Sequence, residues 1–134
     1  DKFPSFVERR KENFQYLYER LEKLGEKLIL PTACPGSDPS WFGFLITCKE
    51  GTDRNSLVRG LEEQGIQTRM LFAGNLTKHP CFDEMRSLGK GYRIVGSLEN
   101  TDRIMRDSFW IGVYPGMTKE MLDCMADRII ELCS

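Results

Sequence analysis

Phe109-Trp110-Ile111-Gly112-Val113-Tyr114-Pro115-Gly116 is the stretch on which the fold depends. Its alternation makes a half-buried strand over Phe109–Val113, and Pro115-Gly116 is a turn that a strand does not run through. Beyond it, Thr118 is placed to cap a last helix whose inward side carries Met121, Leu122, Met125, Ile129, Ile130 and Leu132. Before it, Leu98–Asp107 reads as another helix, capped by Ser97 or Asn100. A strand set between two helices belongs to a sheet with helices laid on it.

The pattern extends toward the start of the chain. Trp41–Cys48 reads as a strand, Gly51–Arg54 as a turn, and Asp53 as the cap of a helix bearing Leu57, Val58 and Leu61. Gly65 stops that helix and Ile66 closes the apolar contact beyond it. Thr68–Phe72 is a further short strand. Residues 31–40 form a loop, and residues 73–97 form a long irregular segment with a helical turn at Phe82–Leu88. The first element, Ser5–Leu24, shows an amphipathic stripe at Phe14, Leu17, Leu21, Leu24 and Leu28, with Ser5 as its cap and Gly25 ending it in a left-handed conformation. The expected fold class is α/β (α+β): a two-layer sandwich, a small three-stranded sheet with helices packed mainly on one face. One domain spans 1–134, with 1–30 as a connecting helix and 31–134 as the sheet and its helices. If the second sheet face is apolar, something the chain lacks must cover it.

The bulk composition narrows the function. With 134 residues, 40% of them hydrophobic, the chain can build a real core, and its net charge of −1 has no basic excess for a nucleic-acid footprint. No apolar run approaches the roughly 20 residues that span a bilayer. The five cysteines, Cys34, Cys48, Cys81, Cys124 and Cys133, are odd in number and lack C-x-x-C spacing, which speaks against a disulfide framework or a zinc site. Reduced thiols in a cytoplasmic protein are expected, with Cys124 and Cys133 packing as small apolar groups of the last helix. The chain opens on Asp1 and a charged helix, and so reads as one that begins in mid-protein.

Self-contained catalysis needs a nucleophile or an acid–base pair held in place. His79 is the only histidine and sits in a loop before Pro80, and Gly89-Lys90-Gly91 lacks the frame of a nucleotide loop, so no catalytic and no metal-binding residue is assigned. The densest unusual stretch is Thr68-Arg69-Met70-Leu71-Phe72-Ala73-Gly74-Asn75-Leu76. Arg69 has the planar fork that clamps an anion, Phe72 can stack on a ring, and Gly74 and Asn75 tolerate a left-handed turn. The competing reading is a strand end with a surface arginine and a core phenylalanine. Tyr114 lies either at a ligand or partner edge or in the core.

These blocks carry a resemblance. Trp41-Phe42-Gly43-Phe44, Gly65-Ile66-Gln67-Thr68-Arg69, Leu71-Phe72-Ala73-Gly74-Asn75-Leu76, Asn100-Thr101-Asp102-Arg103-Ile104-Met105 and Phe109 to Gly116 together resemble the end of the DegT-type sugar aminotransferase family. The likeness runs from about Phe6 to the end. Phe72-Ala73-Gly74-Asn75, Asn100-Thr101-Asp102 and Phe109-Trp110-Ile111-Gly112-Val113 are similar to its CDP-4-dehydro-6-deoxyglucose 3-dehydrase branch.

The resemblance implies the small carboxy-terminal domain of a fold type I enzyme using pyridoxal or pyridoxamine phosphate (PLP or PMP). It also implies a large upstream cofactor domain, a homodimer, a nucleotide-sugar substrate, and a place in deoxysugar and lipopolysaccharide biosynthesis. In the dehydrase branch PMP serves removal of the sugar 3-hydroxyl, and an iron–sulfur cluster passes electrons from a partner reductase. The phosphate loop, the catalytic base and the cluster cysteines are not matched here. The fragment alone is therefore expected to bind no cofactor, and its dispersed cysteines are not that ligand set. Arg69, Phe72, Gly74 and Asn75 fall in the segment that faces the active-site cleft. Ordinary family aminotransferases have histidine or tyrosine near Phe72 and a Leu-His motif after it, so Phe72 with Gly74-Asn75 favours the dehydrase. His79 stands where relatives often have glutamine and is given no role. The alternatives are the same domain of a PLP-dependent nucleotide-sugar aminotransferase, and a non-catalytic α/β binding module.

Overall fold

The computed structural model describes residues 2–134. Its first helix, α1 (Phe3–Leu21), has Pro4 in the opening turn, where a missing N–H leaves no bond unmade. Ser5 does not cap it: the Ser5 hydroxyl donates back to the Lys2 carbonyl at 2.9 Å. The helix tightens into a 3-10 turn at Glu22–Leu24, and Gly25 stays right-handed at φ −56° instead of turning left-handed. The tightening releases Leu28 from the helical stripe, and Leu28–Ile29 forms a short strand, β1.

With β2 (Gly43–Cys48), β3 (Thr68–Met70) and β4 (Ser108–Gly112), the sheet among the described residues has four strands rather than the expected three. All neighbours are antiparallel, in the order β1-β2-β4-β3. Central β4 sets Ile111 opposite both Phe44 and Thr68, and Phe109 opposite Ile46. One face of these strands meets α1, α2 (Arg54–Glu63) and α5 (Lys119–Leu132), and the core lies between them. Phe44, Ile46, Phe109, Ile111, Leu17, Leu61 and Ile129 are fully buried there. This is the two-layer arrangement expected.

Local chemistry explains the helix ends. The Asp53 carboxylate accepts from Asn55 N–H at 3.2 Å and Ser56 N–H at 3.0 Å, capping α2. Gly65 ends the same helix at φ +79°, and Ile66 N–H reaches back to the Leu61 carbonyl at 3.0 Å. Thr118 accepts from Met121 N–H at 3.3 Å at the head of α5. The buried stripe of α5 is Leu122, Ala126, Ile129 and Cys133, a four-three-four spacing, so Met121 and Leu132 fall outside it and are exposed. Cys124 is exposed as well.

The other sheet face carries Leu45, Thr47 and Trp110, all half-buried, and exposed Phe42. Trp110 meets Phe42 edge-on at 5.3 Å and lies across Gly43, where a Cβ would stand 2.7 Å from the indole. The 3-10 turns Leu76–Lys78 and Pro80–Phe82, then α3 (Asp83–Leu88) and α4 (Glu99–Asp107), fill the stretch between β3 and β4. The Ser97 hydroxyl accepts from Glu99 N–H at 3.2 Å, while Asn100 lies inside the helix.

Candidate functional site

Beyond Met70 the chain leaves the sheet and enters the left-handed region twice. Phe72 has φ +43°, an outlier for a bulky residue, and is 79% exposed. Gly74 follows at φ +62°, where a Cβ would stand 2.7 Å from Met105 Cγ. Glycine alone admits both that dihedral and that approach. Asn75 is only 2% exposed. Its Oδ1 accepts from the Thr77 N–H at 3.0 Å and the Thr77 hydroxyl at 2.7 Å, capping the 3-10 turn Leu76–Lys78. Its Nδ2 donates to Asp102 Oδ1 at 2.7 Å, and its N–H donates to Met105 Sδ at 3.2 Å.

Asp102 is the pivot of this contact. Its second oxygen pairs with Lys78 at 2.8 Å. The bonds from Lys78 and then Asn75 hold its carboxyl below the ordinary value of 3.8. Asp102 and Met105 are one turn apart, so the Gly74-Asn75 turn lies along a single face of α4. Further bonds knit the loop. The His79 ring Nε2–H donates to the Ala73 carbonyl, and Arg86 of α3 donates to the carbonyls of Thr77 (2.5 Å) and His79 (2.9 Å). Arg54, at the head of α2, donates to Met70 Sδ and to the Met105 carbonyl.

Arg69 stands opposite Trp110 in the β3–β4 register and is exposed. It opens on a groove of about 650 Å³ that it shares with Trp110, Tyr114, Met121 and Cys124. Tyr114 is half exposed, and buried Asn13 of α1 fixes its carbonyl with a 2.8 Å bond. A guanidinium beside aromatic rings suits a ligand that is both anionic and flat. The four residues singled out in the sequence thus fall into three settings. Arg69 lines the groove, Phe72 stands at the loop tip, and Gly74 and Asn75 pack on α4.

The chemistry of the donors decides where a cofactor fits. A coenzyme phosphate needs free N–H groups round a glycine turn. The N–H groups of Gly89 and Lys90 are spent on the end of α3, bonding Arg86 and Met85 carbonyls at 3.2 and 3.3 Å. Cys48 and Cys133 are buried while Cys34, Cys81 and Cys124 are exposed, and among the described residues no three or more His, Cys, Asp or Glu side chains group as metal ligands. The Gly89-Lys90 turn therefore offers no free N–H cradle for a coenzyme phosphate, and the described cysteines are not grouped to hold an iron–sulfur cluster. No described helix is long and apolar enough to cross a membrane.

The sequence profile of the DegT/DnrJ/EryC1/StrS aminotransferase family matches residues 1–130. The chain belongs to this family. Among relatives, the lipopolysaccharide biosynthesis protein RfbH of Salmonella typhimurium is 50% identical over 133 residues, which is 98% of this chain and 29% of that protein. A dTDP-4-dehydro-2,6-dideoxy-D-glucose 3-dehydratase of Saccharopolyspora spinosa is 45% identical over 97% of this chain and 27% of that one. The chain therefore spans less than a third of the length of these relatives. The fold matches the E. coli GDP-4-keto-6-deoxy-D-mannose 3-dehydratase solved with bound hydrated PLP, with a TM-score of 0.80 at 22% identity over 96% of this chain and 32% of that one.

In this DegT-family chain, the sequence marks Asp102 and Met105 only as part of the Asn100–Met105 block, with no role for either; it does not mark Lys78 or Arg86, and His79 is given no part. The signal for two of them was present: Asp102 and Met105 sit at helical i,i+3 spacing and so share a face that an adjoining loop can use.

Proposed function

We propose that this chain is the carboxy-terminal small domain of a PMP- or PLP-dependent nucleotide-sugar 3-dehydrase of the CDP-4-keto-6-deoxyglucose type, acting in deoxysugar and O-antigen biosynthesis in the cytoplasm. Residues 1–134 form one domain, and the boundary at residue 30 does not hold inside it: α1 packs in the core and β1 pairs with β2, so the first 30 residues both lead in from a large upstream cofactor domain and belong to the sheet and helices. The observation that carries this reading is the 50% identity to RfbH across nearly the whole chain, matched to only 29% of that protein. The 45% identity to a sugar 3-dehydratase supports the reaction class.

In the complete homodimer the coenzyme, held by the upstream part, supplies the electron sink for loss of the sugar 3-hydroxyl. An iron–sulfur cluster and a reductase partner belong to that larger assembly. The residues of this chain bind and orient. Arg69 takes the anionic diphosphate with two parallel N–H bonds, Phe72 lies against a ring of the substrate, and Gly74 and Asn75 hold the turn between them. The sheet face bearing Phe42 and Trp110 packs on the upstream domain, which shields the sugar from water. In the complete enzyme, Arg69→Ala lowers kcat/KM at least tenfold, about 1.4 kcal/mol of transition-state binding. Unchanged kinetics would take Arg69 out of the site.

The family's own description as aminotransferases supports a second reading, an amino-transferring parent enzyme. The residue at the Schiff-base position upstream separates the two: lysine for transamination, a different base for dehydration.

A further inference from the structure

We infer that Asp102 is the positioning residue for substrate recognition, because its carboxylate joins Asn75 and Lys78 and so sets the turn that presents Phe72. The inference rests on the reading that the Arg69–Asn75 segment contacts substrate.

An exposed aromatic ring on a left-handed, non-glycine backbone needs something to hold it there, since neither burial nor a sheet ladder does so. The hold comes from the next three residues. Gly74 lies against Met105 with no room for a Cβ, and Asn75 is buried with its amide engaged on both sides. Asp102 faces two donors with two different oxygens: Asn75 Nδ2 at 2.7 Å on Oδ1 and Lys78 Nζ at 2.8 Å on Oδ2. That division makes the charge state of the side chain matter, not its size alone. An asparagine at 102 would turn an NH2 group toward either the Asn75 NH2 or the Lys78 ammonium, and one of the two bonds would become a donor facing a donor. Exchanging the two side chains restores the pattern. Aspartate at 75 still accepts from Thr77 and now accepts from the amide of asparagine at 102, whose oxygen remains for Lys78.

The test uses the complete enzyme with its coenzyme bound, and reads the dissociation constant for CDP-4-keto-6-deoxyglucose by calorimetry beside the coenzyme absorbance and the melting temperature. Asp102→Asn is expected to weaken sugar-nucleotide binding at least fivefold with the coenzyme spectrum unchanged. Lys78→Met weakens it in the same direction. The exchange N75D with D102N recovers most of the lost affinity, which a merely structural loss of packing would not do. Unchanged binding in both single variants, or a lowered melting temperature with affinity intact, overturns the positioning role. A Phe72→Ala control separates the failures. If Phe72→Ala weakens binding while the Asp102 and Lys78 variants do not, the positioning claim alone is wrong. If Phe72→Ala and Arg69→Ala both bind as wild type, the segment is not a substrate contact and the inference falls with that reading.

Discussion

At the scale of single residues, Cys48 is a side chain strongly altered by burial. Burial at the end of β2 pushes its thiol from 9.0 up to about 11, and burial raises Cys133 as well, against the pull of nearby Lys27. Thiolates are the reactive species, so an aromatic disulfide reagent at about pH 8 should titrate Cys34, Cys81 and Cys124 in the native chain and reach Cys48 and Cys133 only after denaturation. Five fast thiols would show that the core is not packed as described. The same shift fixes a sign. The folded value lies above the unfolded one, so the buried thiol favours folding fully below pH 9.0 and loses that contribution as pH climbs toward about 11. Residue identity alone did not reveal which cysteines were buried. Cys124 and Cys133 both lie in a helical pattern, and only the angle of the stripe places one inward and the other outward.

At the scale of elements, the caps at Asp53, Gly65 and Thr118 were legible, those expected at Ser5 and Gly25 were not, and the shortest strand left no signal. Asp53, Gly65 and Thr118 do what their residue types promise, because a cap is a contact within one turn of the chain. Asp53→Ala is expected to lower the melting temperature by several degrees at neutral pH. The Ser56 hydroxyl first, then the N–H groups of Ser56 and Asn55, hold the Asp53 carboxyl below its usual 3.8. The cap therefore supports folding above that pH and loses its effect as pH falls through the lowered value. Melts of variant and wild type should converge in strong acid, and a gap that persists there would mean the carboxylate is not the cause. β1 went unread because two residues have no period; Leu28–Ile29 becomes a strand only by meeting Cys48 and Thr47 from across the sheet. The loop after β3 was recognised as special in composition, but its anchor on Asp102 lies 27 residues away and leaves no mark in a local pattern. Asn75 shows the limit well. The sequence marks it as a residue for a left-handed turn, while the left-handed dihedrals fall on Phe72 and Gly74 and Asn75 caps the turn that follows.

At the scale of the whole molecule, the two-layer plan was legible because Phe109–Val113 and the helices around it alternate with clear periods. The strand order was not, because it depends on pairings between distant segments. A single core joins α1, α2, α5 and one sheet face, while the face of Trp110 has only partial cover. Incubated with PLP, the isolated 134-residue chain is expected to show no stoichiometric coenzyme absorbance; tight binding would mean the site does not need the upstream part. The order β1-β2-β4-β3 has one more consequence. The strand at the heart of the sheet is the last one synthesised. As the ribosome advances at roughly 5–20 residues per second, β2 emerges with only two-residue β1 to pair with, and β3 with no neighbour at all. The sheet zips when residues 108–112 clear the exit tunnel, and a nascent chain stalled before Ser108 offers chaperones two strands still waiting for their shared centre.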